Sequence, residues 1–186
     1  LLLASTVLLS FWENTSVTRL DSSMRAAVLL KPGQIQMQTR PVPSPSPDEI
    51  LIRIACVGVC GSDIHYYRYG RIGEQIIKSP QCLGHECSGS IAAVGSDVRG
   101  FELGQLVACE PSRVCGWCTQ CRTGHYNLCP NVKFLGTPPV EGVFQEYYLF
   151  HFSQCLPVPD GISPAAAAMI EPFATGFCAS RILRPV

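Results

Sequence analysis

The chain has 186 residues, and its 14 Lys+Arg balance 14 Asp+Glu to a formal net charge of zero. Neutrality with only 15% charged residues leaves no basic footprint for nucleic acid, and 47% hydrophobic residues argue against disorder over most of the length. Eleven cysteines, an odd number, rule out a complete disulfide framework within one molecule, and 16 Gly with 15 Pro favour strands and loops over a helical bundle.

Leu1 to Trp12 is an apolar run interrupted by small hydroxyl residues. It is too short for a bilayer, which takes about 20 residues, and it lacks the basic start and clear cleavage site of a signal peptide. Residues 1–23 are therefore read as an N-terminal extension outside the fold, with the domain occupying 24–186 and opening at Met24. Ala26–Leu30 and Ile35–Gln38 flank the turn signal Pro32-Gly33 and predict a hairpin. Pro41 to Pro47 carries four prolines in seven residues, either as a domain linker or as a stiff surface connection. The strong strand beyond it favours the connection.

Ile50 to Val59 is rich in β-branched residues and predicts a long, mostly buried strand. Cys60-Gly61-Ser62-Asp63 ends it, with Ser62 or Asp63 as the cap of a short helix over Ile64–Tyr69. Ser90–Val94, Gln105–Cys109 and Glu146–Phe150 predict further strands. Ser163-Pro164 pairs an N-cap with proline at the first helical position. The helix over Ala165–Ile170 is expected to be interrupted at Glu171-Pro172, because a residue before proline resists helical geometry. The whole reads as mainly β with short helices at the edges.

Cys115-x2-Cys118-x2-Cys121-x7-Cys129 places four thiols in one glycine-containing loop. Two-residue spacers let thiolates converge tetrahedrally, and four filled positions suit a closed structural Zn²⁺ site. Strained Cys-x2-Cys disulfides are the weaker alternative. An iron–sulfur cluster is the other, although its pattern puts three residues before the last cysteine where this chain has seven.

Cys60, His85, Glu86 and Glu171 form a second constellation. Each alone reads as a core residue. Gly84-His85-Glu86 changes that, since adjacent residues reach one ion only at a turn or strand end, where Gly84 supplies backbone freedom. A Cys, a His and one or two carboxylates suit a zinc with an open position.

Gly84-His85-Glu86-x2-Gly89-x5-Gly95-x2-Val98, followed by the four-cysteine loop, resembles the zinc signature of the medium-chain alcohol dehydrogenase superfamily. Cys60 to Gly73, Tyr126-Asn127-Leu128, Phe134 to Pro139 and Ile170-Glu171-Pro172 are similar to its polyol branch, the sorbitol (L-iditol), xylitol and arabinitol dehydrogenases. The resemblance covers residues 25–179. It implies a GroES-like, partly open β-barrel catalytic domain with a projecting structural-zinc lobe, with residues 24–186 expected to hold that domain incompletely.

It further implies a structural zinc on Cys115, Cys118, Cys121 and Cys129 and a catalytic zinc on Cys60, His85 and Glu86, two per chain. Glu171 would be either a direct ligand or a partner of zinc-bound water. Ser62 and His65 match the family's proton relay, and Tyr66, Phe134 and Thr137 match positions lining the substrate pocket. No G-x-G-x-x-G follows a strand, so no residue of this chain is expected to bind NAD(P), and the Rossmann domain would lie outside these 186 residues.

The implied activity is NAD(P)-linked oxidation of a secondary hydroxyl of a polyol to a ketone, with these 186 residues alone expected to be inactive. The alternatives are a threonine or other secondary alcohol dehydrogenase, or a zinc-binding module without catalysis. The implied partners are a small-molecule polyol and, in the full-length protein, further copies of itself, with neither nucleic acid nor membrane. Cys56, Cys82, Cys87, Cys109, Cys155 and Cys178 are left as reduced core or near-core thiols, which points to a reducing, cytoplasmic location.

Overall fold

The computed structural model describes residues 9–10 and 20–183. The first strands are β1 (Leu9–Ser10), β2 (Ser23–Lys31), β3 (Gln34–Pro41) and β4 (Glu49–Gly58), followed by helix α1 (Gly61–Tyr69). Four more strands come next, β5 (Arg71–Ile72), β6 (Gln75–Ile76), β7 (Gln81–Cys82) and β8 (Glu86–Val94). Then come β9 (Leu106–Cys109), β10 (Ser112–Arg113), α2 (Thr119–Arg122), β11 (Lys133–Phe134), β12 (Tyr147–His151) and β13 (Cys155–Pro157). Two helices, α3 (Pro164–Ala168) and α4 (Ile170–Leu183), end the described chain. The fold is mainly β, as the resemblance implies.

The main sheet runs β1-β4-β8-β9-β13, with β12 also pairing to β4. β4 is its centre. One edge pairs antiparallel with β8 from Ile50↔Val94 to Gly58↔Glu86, and the other carries β12 and then β1. Ile50, Ile52, Ile54 and Val57 pack into the largest core cluster, while Leu51 packs on the opposite face with Met24 and Tyr147. Burial on both faces accounts for the unbroken apolar run in the sequence, where a one-sided strand would alternate. Each such side chain stabilises the fold by roughly 1.5–3 kcal/mol. The register shifts between Ile54 and Cys56, a bulge that re-aims the strand end leading into Cys60.

The expected hairpin is β2–β3, and β7 pairs with the other edge of β2. The proline-rich segment connects β3 to β4 and is tied to the sheet by the Asp97 N–H, which donates to the Pro47 carbonyl at 2.9 Å. Asp21, within the expected extension, accepts from the Tyr147 hydroxyl at 3.2 Å and lies 3.8 Å from Arg53.

The C-terminal helices differ from the sequence expectation. Ser163 caps α3, its hydroxyl accepting from the Ala166 N–H at 3.2 Å. The break, however, falls at Met169 instead of Glu171-Pro172, and both of those residues sit in the first turn of α4. A proline is tolerated there because first-turn N–H groups have no intrahelical acceptor. α4 is also long, and Phe173, Phe177 and Ile182 on it are 70%, 53% and 75% exposed. Cys178, expected near the core, is exposed on the same helix. Among the described residues, no helix is long and apolar enough to cross a membrane.

Candidate metal centres

The four-cysteine lobe projects from the β10–β11 hairpin. Its sulfurs lie 4.0 Å apart for Cys115–Cys121, 3.9 Å for Cys118–Cys129 and 3.6 Å for Cys115–Cys129. A tetrahedron built on Zn–S bonds of about 2.3 Å has edges of about 3.8 Å. The thiols therefore have the spacing of a single-ion shell, too far apart for disulfides and too close to enclose a multi-iron cluster. Backbone groups support the thiolates, with the Cys115 N–H directed at Cys129 Sγ and the Cys121 N–H at Cys118 Sγ, both at 3.5 Å.

The second centre forms where β4 ends and β8 begins. Cys60 is the N-cap of α1, and the Gly58↔Glu86 register sets Glu86 beside it. Gly84, at φ 89°, turns the chain so that His85 and Glu86 both face this point. Ligand atoms of Cys60, His85 and Glu86 all lie within 4.8 Å of one another. Glu86 is 5% exposed, and its Oε2 is buried with no hydrogen-bond partner. A carboxylate in that position costs several kcal/mol unless a cation compensates it, so the residues present fit a divalent metal.

Asp63 staples the two ligand-bearing segments together. Its Oδ2 accepts from the Cys60 N–H and its Oδ1 from the Gly84 N–H, each at 2.9 Å, and Oδ1 lies 3.9 Å from His85 Nδ1. Burial pushes the Asp63 carboxyl above its ordinary value despite these bonds. The sequence offered Ser62 or Asp63 as the helix cap, whereas Cys60 takes that position and Asp63 closes the capping box from the third helical residue. The Cys60-x2-Asp63 spacing signals the capping-box bond, whereas the bond to Gly84 has no local signal.

The hydrogen bond with His85 leads in holding the Cys60 thiol below its ordinary value, against burial and with help from Ser62. Ser62 is half-buried in the first turn of α1, two residues after Cys60. His65 is exposed one turn further along α1, with its ring 4.7 Å from that of Tyr69, and no hydrogen bond among the described residues joins it to Ser62. Phe134 packs its ring 5.3 Å from that of His85. Tyr66 is buried, its hydroxyl donating to Gln75 Oε1 at 3.0 Å, and Thr137 is half-buried in the turn closed by its N–H on the Phe134 carbonyl at 3.2 Å.

Glu171 is not brought into the ligand cluster. It stands half-buried in the first turn of α4, near enough for its charge to act on His85, and burial raises its carboxyl above the ordinary value. Ser88 Oγ, donating to the Pro164 carbonyl at 2.6 Å, fixes α3 against β8 and so sets where α4 starts. Glu171 lines a cleft of about 550 Å³ together with Cys87, Cys109 and Glu110.

Residues 46–160 match the alcohol dehydrogenase GroES-like domain. The chain belongs to that family. A sorbitol dehydrogenase of Bacillus subtilis (strain 168) is 49% identical over 158 residues, which are 85% of this chain and 45% of that protein. Among solved structures, an oxidoreductase/dehydrogenase of unknown specificity from Escherichia coli superposes with a TM-score of 0.81 at 36% identity, covering 86% of this chain and 47% of that one. Galactitol-1-phosphate dehydrogenase from Escherichia coli gives 0.78 at 31% identity, covering 86% and 45%. The chain thus spans about half the length of the curated relatives it matches.

Proposed function

We propose that this chain belongs to the catalytic domain of a zinc- and NAD(P)-dependent dehydrogenase that oxidises a secondary hydroxyl of a polyol to a ketone. The observation that carries this reading is the convergence of Cys60, His85 and Glu86 around the buried, unpartnered Glu86 Oε2. The names of the relatives, a sorbitol and a galactitol-1-phosphate dehydrogenase, favour a polyhydroxylated substrate. One zinc belongs on Cys60, His85 and Glu86, and a second on Cys115, Cys118, Cys121 and Cys129.

A zinc bound at the first set supplies Lewis acidity, which lets a hydroxyl lose its proton near neutral pH. The chain's own residues do the rest. Asp63 holds Cys60 and Gly84 in register, and so fixes His85 and Glu86 before substrate arrives. Ser62, two residues beyond Cys60 in the first turn of α1, takes up the departing proton, and the exposed imidazole of His65 delivers it to solvent. Phe134, packed against His85, and Thr137 beside it orient the hydroxylated chain, with the buried Tyr66 behind them. Glu171 supplies a second carboxylate facing the centre from α4.

The test is NAD(P)-linked oxidation by the full-length protein of sorbitol and xylitol beside threonine. Turnover of the polyols is expected, and activity on threonine alone would contradict the polyol assignment.

A further inference from the structure

Cys109 on β9 and Cys155 on β13 face each other in the antiparallel ladder, and both are buried. The hydrogen bonds of that ladder decide what kind of pair they form. The Glu110 N–H donates to the Gln154 carbonyl at 2.8 Å, and the Val158 N–H to the Leu106 carbonyl at 3.1 Å. Hydrogen-bonded and non-hydrogen-bonded pairs alternate along an antiparallel ladder, so Cys109↔Cys155 falls at a non-hydrogen-bonded position. Pro157, which has no N–H to give, falls at the next such position, opposite Val107. Pairs of this kind bring Cα atoms to about 4.5 Å and side chains closest together, inside the Cα range of about 4.4–6.8 Å that a disulfide spans.

A third thiol flanks the pair. One residue beyond the Ser88↔Ala108 pairing, the register sets Cys87 of β8 opposite Cys109, and all three cysteines belong to one core cluster. This second juxtaposition falls at a hydrogen-bonded position, because the Ile91 N–H donates to the Gln105 carbonyl at 3.0 Å in the same register. Side chains stand further apart there. Cys109 therefore has a near thiol in Cys155 and a farther one in Cys87. Access is one-sided as well, since Cys109 and Cys87 line the cleft beside Glu171 and Cys155 does not.

We propose that Cys109 and Cys155 are a dithiol redox site, which a hydroperoxide entering the cleft converts to a cross-strand disulfide. The Cys109 sulfur attacks the peroxide, the O–O bond breaks, and an alcohol (or water) leaves with the thiol proton, so that Cys109 becomes a sulfenic acid. The Cys155 sulfur then attacks that sulfenic sulfur. The S–S bond forms, and the hydroxyl departs as water with the Cys155 proton. The two sulfurs together lose the two electrons that reduce the peroxide. Burial pushes the Cys109 thiol well above its ordinary value, so the reactive thiolate is scarce and the reaction is slow. The segment between the two cysteines carries the whole four-cysteine lobe, and the new bond closes the base of that excursion.

The test exposes full-length, zinc-loaded protein to hydrogen peroxide, unfolds it in an alkylating reagent, and maps the thiols by peptide mass spectrometry. A cross-link between the Cys109 and Cys155 peptides is expected as the main product at these two residues, together with a raised unfolding midpoint, and a thiol reductant reverses both. Cys87→Ala is expected to leave that link in place. In Cys155→Ala, Cys109 is expected to proceed to sulfinic acid or to link to Cys87 instead. A Cys87–Cys109 link as the main wild-type product, or sulfinic acid at Cys109 with no link, overturns the proposal. So does recovery of both thiols unmodified after prolonged exposure that has oxidised the exposed Cys178.

Discussion

The N–H of Gly84 donates to Asp63 Oδ1 across 21 residues of sequence, and the other oxygen of the same carboxylate holds the N–H of Cys60. One buried side chain thereby fixes the spacing between a cysteine on one strand end and a His-Glu pair on the next. Asp63→Asn keeps the size and replaces one acceptor by a donor, which cannot serve both N–H groups. Zinc affinity at Cys60, His85 and Glu86 is expected to fall about 10–100-fold, the usual cost of losing an outer-shell partner. Competition titration with a chromophoric chelator measures it, and the four-cysteine lobe in the same molecule serves as the internal reference.

Gly58 faces Glu86 across the β4–β8 pair, and a Cβ added there would collide with the Glu86 carboxylate. Gly58→Ala is therefore expected to displace a ligand as well as to cost roughly 1–3 kcal/mol of overpacking. Gly61 has open space where its Cβ would go, so Gly61→Ala is the matched control, with little or no loss expected. Thermal denaturation combined with metal content separates the two.

Much of this arrangement is legible in the residues alone. The β4 run announces a buried strand, the cysteine spacing announces the lobe, and Gly84-His85-Glu86 places a turn at the ligands. From the sequence Asp63 reads only as a helix cap, because its partner Gly84 is distant along the chain. Local propensity points to a break at Glu171-Pro172 instead of Met169, because it does not reveal that α3 packs on β8 and that α4 takes the proline into its first turn.

Arg25 and Glu146 join β2 to the residue preceding β12. The Arg25 side chain donates to Glu146 Oε1 at 2.8 and 2.6 Å, and its backbone N–H to Oε2 at 2.7 Å. Burial opposes charge on Glu146, but these bonds outweigh it and hold the carboxyl below its ordinary value. A lowered folded-state pKa adds stability that is fully present above the unfolded value of about 4.3 and is lost as pH falls through the folded value. Glu146→Gln should accordingly lower the melting temperature near neutral pH, with the difference from wild type shrinking as pH drops below about 4.3. A difference that grows on acidification has the wrong sign for this pair.

Removal of one lobe thiol by Cys118→Ser should release the lobe's metal and lower the melting temperature, because metal binding and loop folding are one equilibrium there. β4 and β8 do not run through the lobe, so the Cys60 centre is expected to keep its zinc. Chelator-release kinetics on this variant will show a single phase where wild type shows two.

The most direct test of two separate zinc centres is the metal content of purified protein before and after His85→Ala. Two zinc per chain are expected in the wild type, one for each of the two ligand groups, and one in the variant, with the lobe unaffected. A wild-type content of one zinc that His85→Ala leaves unchanged would contradict two separate centres.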